Sequence, residues 1–125
     1  MILTTPLSKA LNSLEDILSQ EMNEYIRDGV IQRFEYTFEL SWKLLKRYFK
    51  EIGREDIPGG PRPLIKEAGK EGLIDNVEAW LNFLESRNKT THIYNEKESI
   101  AVYEQAKIFP SYVRKLIAKV EDATK

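Results

Sequence analysis

The sequence predicts an all-α protein: an antiparallel up-and-down four-helix bundle with one short extra helix. Three observations carry that expectation. Apolar residues recur at intervals of three and four along most of the 125-residue chain, the period of a helix with one buried face. No alternating run of β-branched residues marks a strand. Glycine and proline concentrate in one stretch, so the other connections are short.

The first helix is read from Leu7, with a stripe at Leu7, Leu11, Leu14, Leu18, Met22 and Tyr25. Lys9, Glu15, Asp16 and Glu21 face away from that stripe, and Asp28-Gly29 is expected to end it. The second stripe runs through Val30/Ile31, Phe34, Phe38, Trp42, Leu45, Phe49 and Ile52, with Gly53 as its C-terminal cap. Its bulky aromatics mark the central core helix. The stretch from Asp56 to Pro63 reads as the one long loop, and Pro63 begins a short helix stopped by Gly72. Asp75 is expected to cap a fourth helix with Val77, Trp80, Leu81 and Leu84 on its apolar face. Asn95 followed by Glu98 resembles a capping box and opens the fifth helix. That helix buries Ile100, Tyr103, Ala106, Phe109, Val113, Leu116 and Val120, and Pro110 is expected to kink or split it.

Length and composition bound the class. Residues 1–125 fit one domain, large enough to bury a core without disulfides or a structural metal. With no cysteine, thiolate metal sites and disulfide frameworks are excluded, which fits a reducing, cytoplasmic setting. No run of about 18 apolar residues spans a membrane, and the first residues lack the pattern of a secretory signal. A formal charge of −1 means that any nucleic-acid contact must come from a local patch.

The candidate chemistry concentrates in Arg87-Asn88-Lys89-Thr90-Thr91-His92-Ile93-Tyr94. His92 is the only histidine, so chemistry needing a group that titrates near neutral pH runs through it unless burial shifts another side chain. If the fourth helix ends near Thr91, then His92, Ile93 and Tyr94 form the corner into the fifth, with Arg87 one to two turns back. Arginine's planar fork matches phosphate oxygens. A histidine can take the proton of a ribose 2′-hydroxyl or give one to a leaving 5′-oxygen. One imidazole does not readily do both on one phosphodiester, and a symmetric dimer would bring a second copy into the same cleft. Spacing alone leaves a plainer reading open. The helix dipole by itself favours arginine and histidine near a C-terminus, and Tyr94 fits an interhelical packing residue with a wet hydroxyl.

The run Arg87-Asn88-x-x-x-His92-x-Tyr94 resembles the R-x4-H-x-Y motif of HEPN-domain toxins of the HepT type. Asn88 matches a polar position common after that arginine. The segment from Ile31 to Lys43, and Ile65-Lys66-Glu67-Ala68 followed by Gly72-Leu73-Ile74, are similar to the branch called nucleotidyltransferase substrate-binding proteins. The similarity runs from about Leu11 to Val120. It implies a HEPN-like bundle that forms a homodimer, with a minimal nucleotidyltransferase (MNT) on a separate chain as partner. It further implies a toxin–antitoxin pair in which the toxin is an endoribonuclease needing neither metal nor other cofactor. Arg87 and His92 of two subunits would face each other as catalytic residues, and Asn88 would orient the phosphate or His92. The nucleotidyltransferase would silence the enzyme by AMPylation of Tyr94, placing a bulky anion beside the phosphate site. The rival implied by the branch name is a non-catalytic subunit that binds substrate for the nucleotidyltransferase. A third reading is a helical dimerisation protein with no ligand site, which a fully buried or salt-bridged Arg87 would favour.

Other features are weaker. Gly59-Gly60 lacks the spacing and lysine of a phosphate loop. Glu35 and Glu39 lie one turn apart and could share a cation, although a di-metal bundle site is poorly served by one histidine. An RNA groove would recruit Lys43, Lys46, Arg47 or Lys50, which otherwise form an ordinary solvated face. Trp42 and Trp80 lie on apolar stripes and read as core.

Overall fold

The structure is a computed structural model that describes residues 2–125. Five α-helices follow one another: α1 (Thr5–Leu18), α2 (Glu24–Glu51), α3 (Pro61–Lys70), α4 (Val77–Lys89) and α5 (Glu96–Ala123). A 3₁₀ turn, Thr90–His92, follows α4, and there is no strand among the described residues. The four long helices run up and down as an antiparallel bundle, with α3 as the short extra helix.

Two sets of contacts fix the ends of the bundle. At one end Arg27, near the start of α2, bonds Glu96 at the start of α5 (3.3 Å). At the other, Thr4 donates to Glu121 (2.8 Å) and Lys119 to Asp75 (2.8 Å). The α4–α5 corner that carries the motif therefore lies at the same end as the α1–α2 corner.

The first boundary differs from expectation. Helix α1 stops at Leu18, and the Asn23 side chain accepts from the Ile26 N–H (2.9 Å) to start α2. Met22 and Tyr25 thus leave the apolar stripe and are 50% and 83% exposed. Asp28-Gly29 lies inside α2 and ends nothing. A β-carbon on Gly29 would overlap the tip of the Ile17 side chain as it lies here, so glycine leaves that side chain its room where α1 packs on α2.

Helix α2 buries Val30, Phe34, Phe38, Leu45 and Phe49 as its stripe predicts, while Ile52 is exposed and Trp42 is half-buried at the core margin. Gly53, at φ +82°, ends the helix in the left-handed conformation, and the Arg54 N–H returns to the Phe49 carbonyl (2.7 Å). Helix α3 starts at Pro61, two residues before the expected Pro63. A first helical turn has no internal use for N–H groups, so both prolines fit there. Helix α4 is capped by Asn76, which accepts from the Ala79 N–H (3.0 Å), and not by the expected Asp75. Asp75 is drawn to Lys119 instead. Helix α5 runs unbroken through Pro110, so the proline does not split it; its ring is buried among packed neighbours. Ile100, expected on the buried face, is exposed, and Val102 takes its place.

The core is aromatic at its centre. Phe109 of α5 meets Phe83 (4.8 Å between ring centroids), Phe34 (5.1 Å) and Trp80 (5.4 Å), each edge to face. Phe38 packs beside them at 6.1 Å from Phe109. This cluster joins α2, α4 and α5 into one rigid unit directly beneath the motif arginine.

Candidate functional site

The motif begins in the last turn of α4. Terminal carbonyls of a helix lack internal donors; the Thr91 hydroxyl supplies one here, and the Thr90 hydroxyl lies against another. Thr90 Oγ1 contacts the Arg87 carbonyl (2.6 Å), and Thr91 Oγ1 donates to the Asn88 carbonyl (3.2 Å). The chain tightens into the 3₁₀ turn and then extends at Ile93. The Asn95 side chain accepts from the Glu98 N–H (2.9 Å), and Glu98 reaches back to accept from the Tyr94 N–H (2.9 Å). This is the expected capping box displaced by one residue, since the backbone N–H that Glu98 takes is that of Tyr94, while Asn95 gives it only a side-chain N–H (3.5 Å). Glu96 and Glu98 in the first turn of α5 also complement its dipole.

His92 and Tyr94 come together on this corner, as the spacing predicts. The Tyr94 hydroxyl is 3.3 Å from His92 Nδ1, and the two rings are 6.2 Å apart and tilted by 32°. Both side chains face solvent, Tyr94 being 80% exposed.

Arg87 goes elsewhere. Its Nη1 donates to Glu39 Oε2 of α2 (3.0 Å), and its guanidinium carbon lies 5.5 Å from the centroid of Phe38. The two side chains are 24% and 34% exposed, and Arg87 Nε is enclosed with no partner. Arg87 therefore pairs with helix α2, and no hydrogen bond joins it to His92 among the described residues. Asn88 is exposed on the last turn of α4 and engages the corner through its backbone carbonyl.

A second carboxylate of α2 joins the arrangement: Glu35 takes a short hydrogen bond from Thr90 Oγ1. The pair read as a possible cation site is thus occupied by protein donors, Glu35 by Thr90 and Glu39 by Arg87. No cluster of three or more histidine and carboxylate ligands occurs among the described residues. Sequence reasoning placed Glu35 and Glu39 on one face but did not foresee Thr90 and Arg87 as their partners. The available signal was their spacing, four residues on one helix facing a pair three apart on another. Lys43 lies one turn beyond Glu39, while Lys46, Arg47 and Lys50 stand progressively further toward the opposite end, all exposed.

Charge elsewhere is structural. Arg54 bonds Asp56 (2.8 Å), Glu67 (2.8 Å) and Glu71 (3.2 Å), tying the α2–α3 loop to α3. The hydrogen bond from Arg54 holds the Asp56 carboxyl below the usual range, and Lys119 does the same to Asp75. In return, the carboxylates raise the Arg54 guanidinium above its ordinary value.

Comparison with known proteins identifies the group. The family model described as nucleotidyltransferase substrate binding protein like matches residues 4–122. A curated Haemophilus influenzae relative, "Probable ribonuclease HepT", is 38% identical over 80 residues. That match takes in 62% of this chain and 55% of the relative's own length, so the chain spans little more than half of it. A crystal structure from Thermus thermophilus superposes with a TM-score of 0.81 and 30% identity, covering 91% of this chain and 98% of that one. A Haemophilus influenzae structure, described as revealing the fold of a substrate binding domain of a nucleotidyltransferase, gives 0.82 and 28% identity over 95% and 99%. With a family match over nearly its whole length, the chain belongs to the nucleotidyltransferase substrate binding protein-like family, of the HepT/HEPN type.

Proposed function

We propose that this protein is the toxin of a HEPN/MNT toxin–antitoxin pair, a metal-independent endoribonuclease whose chemistry is carried by Arg87 and His92. The observation that supports it is the exposed corner holding His92 and Tyr94, with Arg87 in the preceding helical turn held against Glu39 of α2. His92 removes the proton of a ribose 2′-hydroxyl; that oxygen attacks phosphorus, and the 5′-oxygen departs with a proton from an acid. A homodimer supplies the acid as the second subunit's imidazole, and Arg87 neutralises charge on the phosphate. Asn88 orients the phosphate or His92. The partner is a minimal nucleotidyltransferase on a separate chain, which transfers AMP to the Tyr94 hydroxyl and silences the enzyme. The 80% exposure of Tyr94 leaves its hydroxyl open to a second protein.

One observation favours a second reading. Arg87 is already salt-bridged to Glu39, which neutralises part of the charge that RNA would need and weighs equally toward a helical dimerisation protein with no ligand site. On that reading the chain is a non-catalytic subunit that presents substrate to the nucleotidyltransferase. Incubating purified protein with total cellular RNA in EDTA separates the two. Cleavage by the wild type that is lost in both His92→Ala and Arg87→Ala supports the ribonuclease. Absence of cleavage by wild type with unmodified Tyr94 supports the binding subunit.

A further inference from the structure

Helix α2 carries two carboxylates, Glu35 and Glu39, that lie on one face and meet the motif from outside it. Glu39 holds the Arg87 guanidinium and Glu35 holds the Thr90 hydroxyl. Because α2 and α4 are antiparallel, the later glutamate meets the earlier motif residue. Four residues on one helix rise about 6 Å and three on the other about 4.5 Å, close enough for both bonds to form at once.

The pairing is built and not incidental. Glu39 and Arg87 are separated by 48 residues and are each about two-thirds or more enclosed. The guanidinium rests near the ring of Phe38, the residue adjacent to Glu39, and that ring is fully buried in the aromatic cluster. The cation is thereby fixed by a carboxylate at one nitrogen and a rigid aromatic below. An arginine has five N–H donors, and Glu39 occupies one of them, at Nη1. The Nη2 donors carry no bond to a carboxylate among the described residues. A free arginine at a helix end would sample many rotamers, and this one is already held in place.

We propose that Glu39 is a positioning residue: it orients Arg87 for contact with an anionic phosphodiester, while Glu35 steadies the corner through Thr90. This rests on the ribonuclease reading above. Glu39 does not touch substrate in this role, and its effect reaches the reaction through Arg87.

The experiment compares wild type, Glu39→Gln and Glu39→Ala by RNA cleavage kinetics, thermal unfolding and the ¹⁵N relaxation of Arg87 Nε. Gln keeps an oxygen acceptor at the same reach; Ala removes it. Glu39→Ala is expected to lower kcat about tenfold or more while KM moves less than about twofold, because a misoriented clamp costs the transition state most. The Arg87 Nε signal should change from rigid to mobile in the same variant. Glu39→Gln should recover most of kcat and the rigid signal. If Glu39→Ala does not fold, Glu39→Asp, one methylene short of Arg87, is expected to lower kcat in the same way. Unchanged kcat with a rigid Arg87 in Glu39→Ala overturns the proposal, as does a loss of thermal stability alone. Faster cleavage by Glu39→Ala also overturns it, since Glu39 would then compete with the phosphate. If wild type cleaves nothing, the ribonuclease reading fails, and the relaxation data still decide whether Glu39 orients Arg87.

Discussion

The Tyr94 hydroxyl lies 3.3 Å from Nδ1 of His92, so the residue proposed to be modified touches the imidazole proposed to do the chemistry. A phosphodiester formed on that oxygen would place negative charge against the ring and remove the phenol proton from the pair. Modification at Tyr94 therefore alters the imidazole's own surroundings as well as filling the space beside it.

The first prediction concerns that hydroxyl. Incubation with the cognate nucleotidyltransferase and ATP should raise the intact mass of the wild-type protein by one or more AMP units. Tyr94→Phe should show no gain, and Tyr25→Phe, which alters the 83% exposed tyrosine at the same end of the bundle, should gain as the wild type does. A mass gain that persists in Tyr94→Phe would place the modification elsewhere.

A second prediction contrasts the core with the corner. Phe109 contacts Phe34, Phe83 and Trp80 and is fully buried, so Phe109→Ala should destabilise by about 3–5 kcal/mol. His92→Ala, at an exposed position, should stay within about 0.5 kcal/mol of wild type. Urea unfolding of the two variants checks both, and a large loss in His92→Ala would give the histidine a structural role.

Close approach of α1 to α2 supplies the third. A β-carbon at Gly29 would meet Ile17 Cδ1, the far end of a half-buried side chain that can swing aside, so Gly29→Ala should cost less than about 1 kcal/mol once alanine's better helix propensity is counted. Ile17→Val, which removes that methyl, should make the same substitution neutral or stabilising. A loss of about 3 kcal/mol or more in Gly29→Ala would show that the Ile17 side chain has no room to move.

Gly29 also explains where sequence reading succeeded and where it did not. Asp28-Gly29 has the composition of a helix stop, and only the neighbouring helix reveals that the glycine is there for clearance. Asn23, the actual cap, carried a local signal that the longer apolar pattern through Met22 and Tyr25 overrode. Local signals served well where they stood alone, as at Gly53, Gly72 and Asn95. The His92–Tyr94 corner was legible because it follows from one helix end and one cap within a few residues. The partner of Arg87 was not, since it depends on the register between α2 and α4, two helices far apart in sequence. The periodicity of either helix alone does not encode that register, and the matched spacing of the two pairs becomes a signal only once the helices are known to be neighbours.

The last prediction concerns acid. Asp56 is held below its ordinary carboxylate range by the Arg54 hydrogen bond, and Asp75 by Lys119. A carboxyl with a depressed pKa in the folded state binds its proton less readily there than in the unfolded chain. Its contribution is therefore complete above the unfolded value, about 4 for an aspartate, and disappears as pH falls through the lower folded value. The thermal midpoint should change little from about pH 7 to about pH 5 on account of these groups and decline below about pH 4. Asp56→Asn and Asp75→Asn should each flatten that acid limb, because an amide has no proton to gain. Both pairs are open to solvent, so raising salt to about 1 M should flatten it as well. An acid limb of equal slope in the double variant Asp56→Asn/Asp75→Asn would show that these two pairs do not set it.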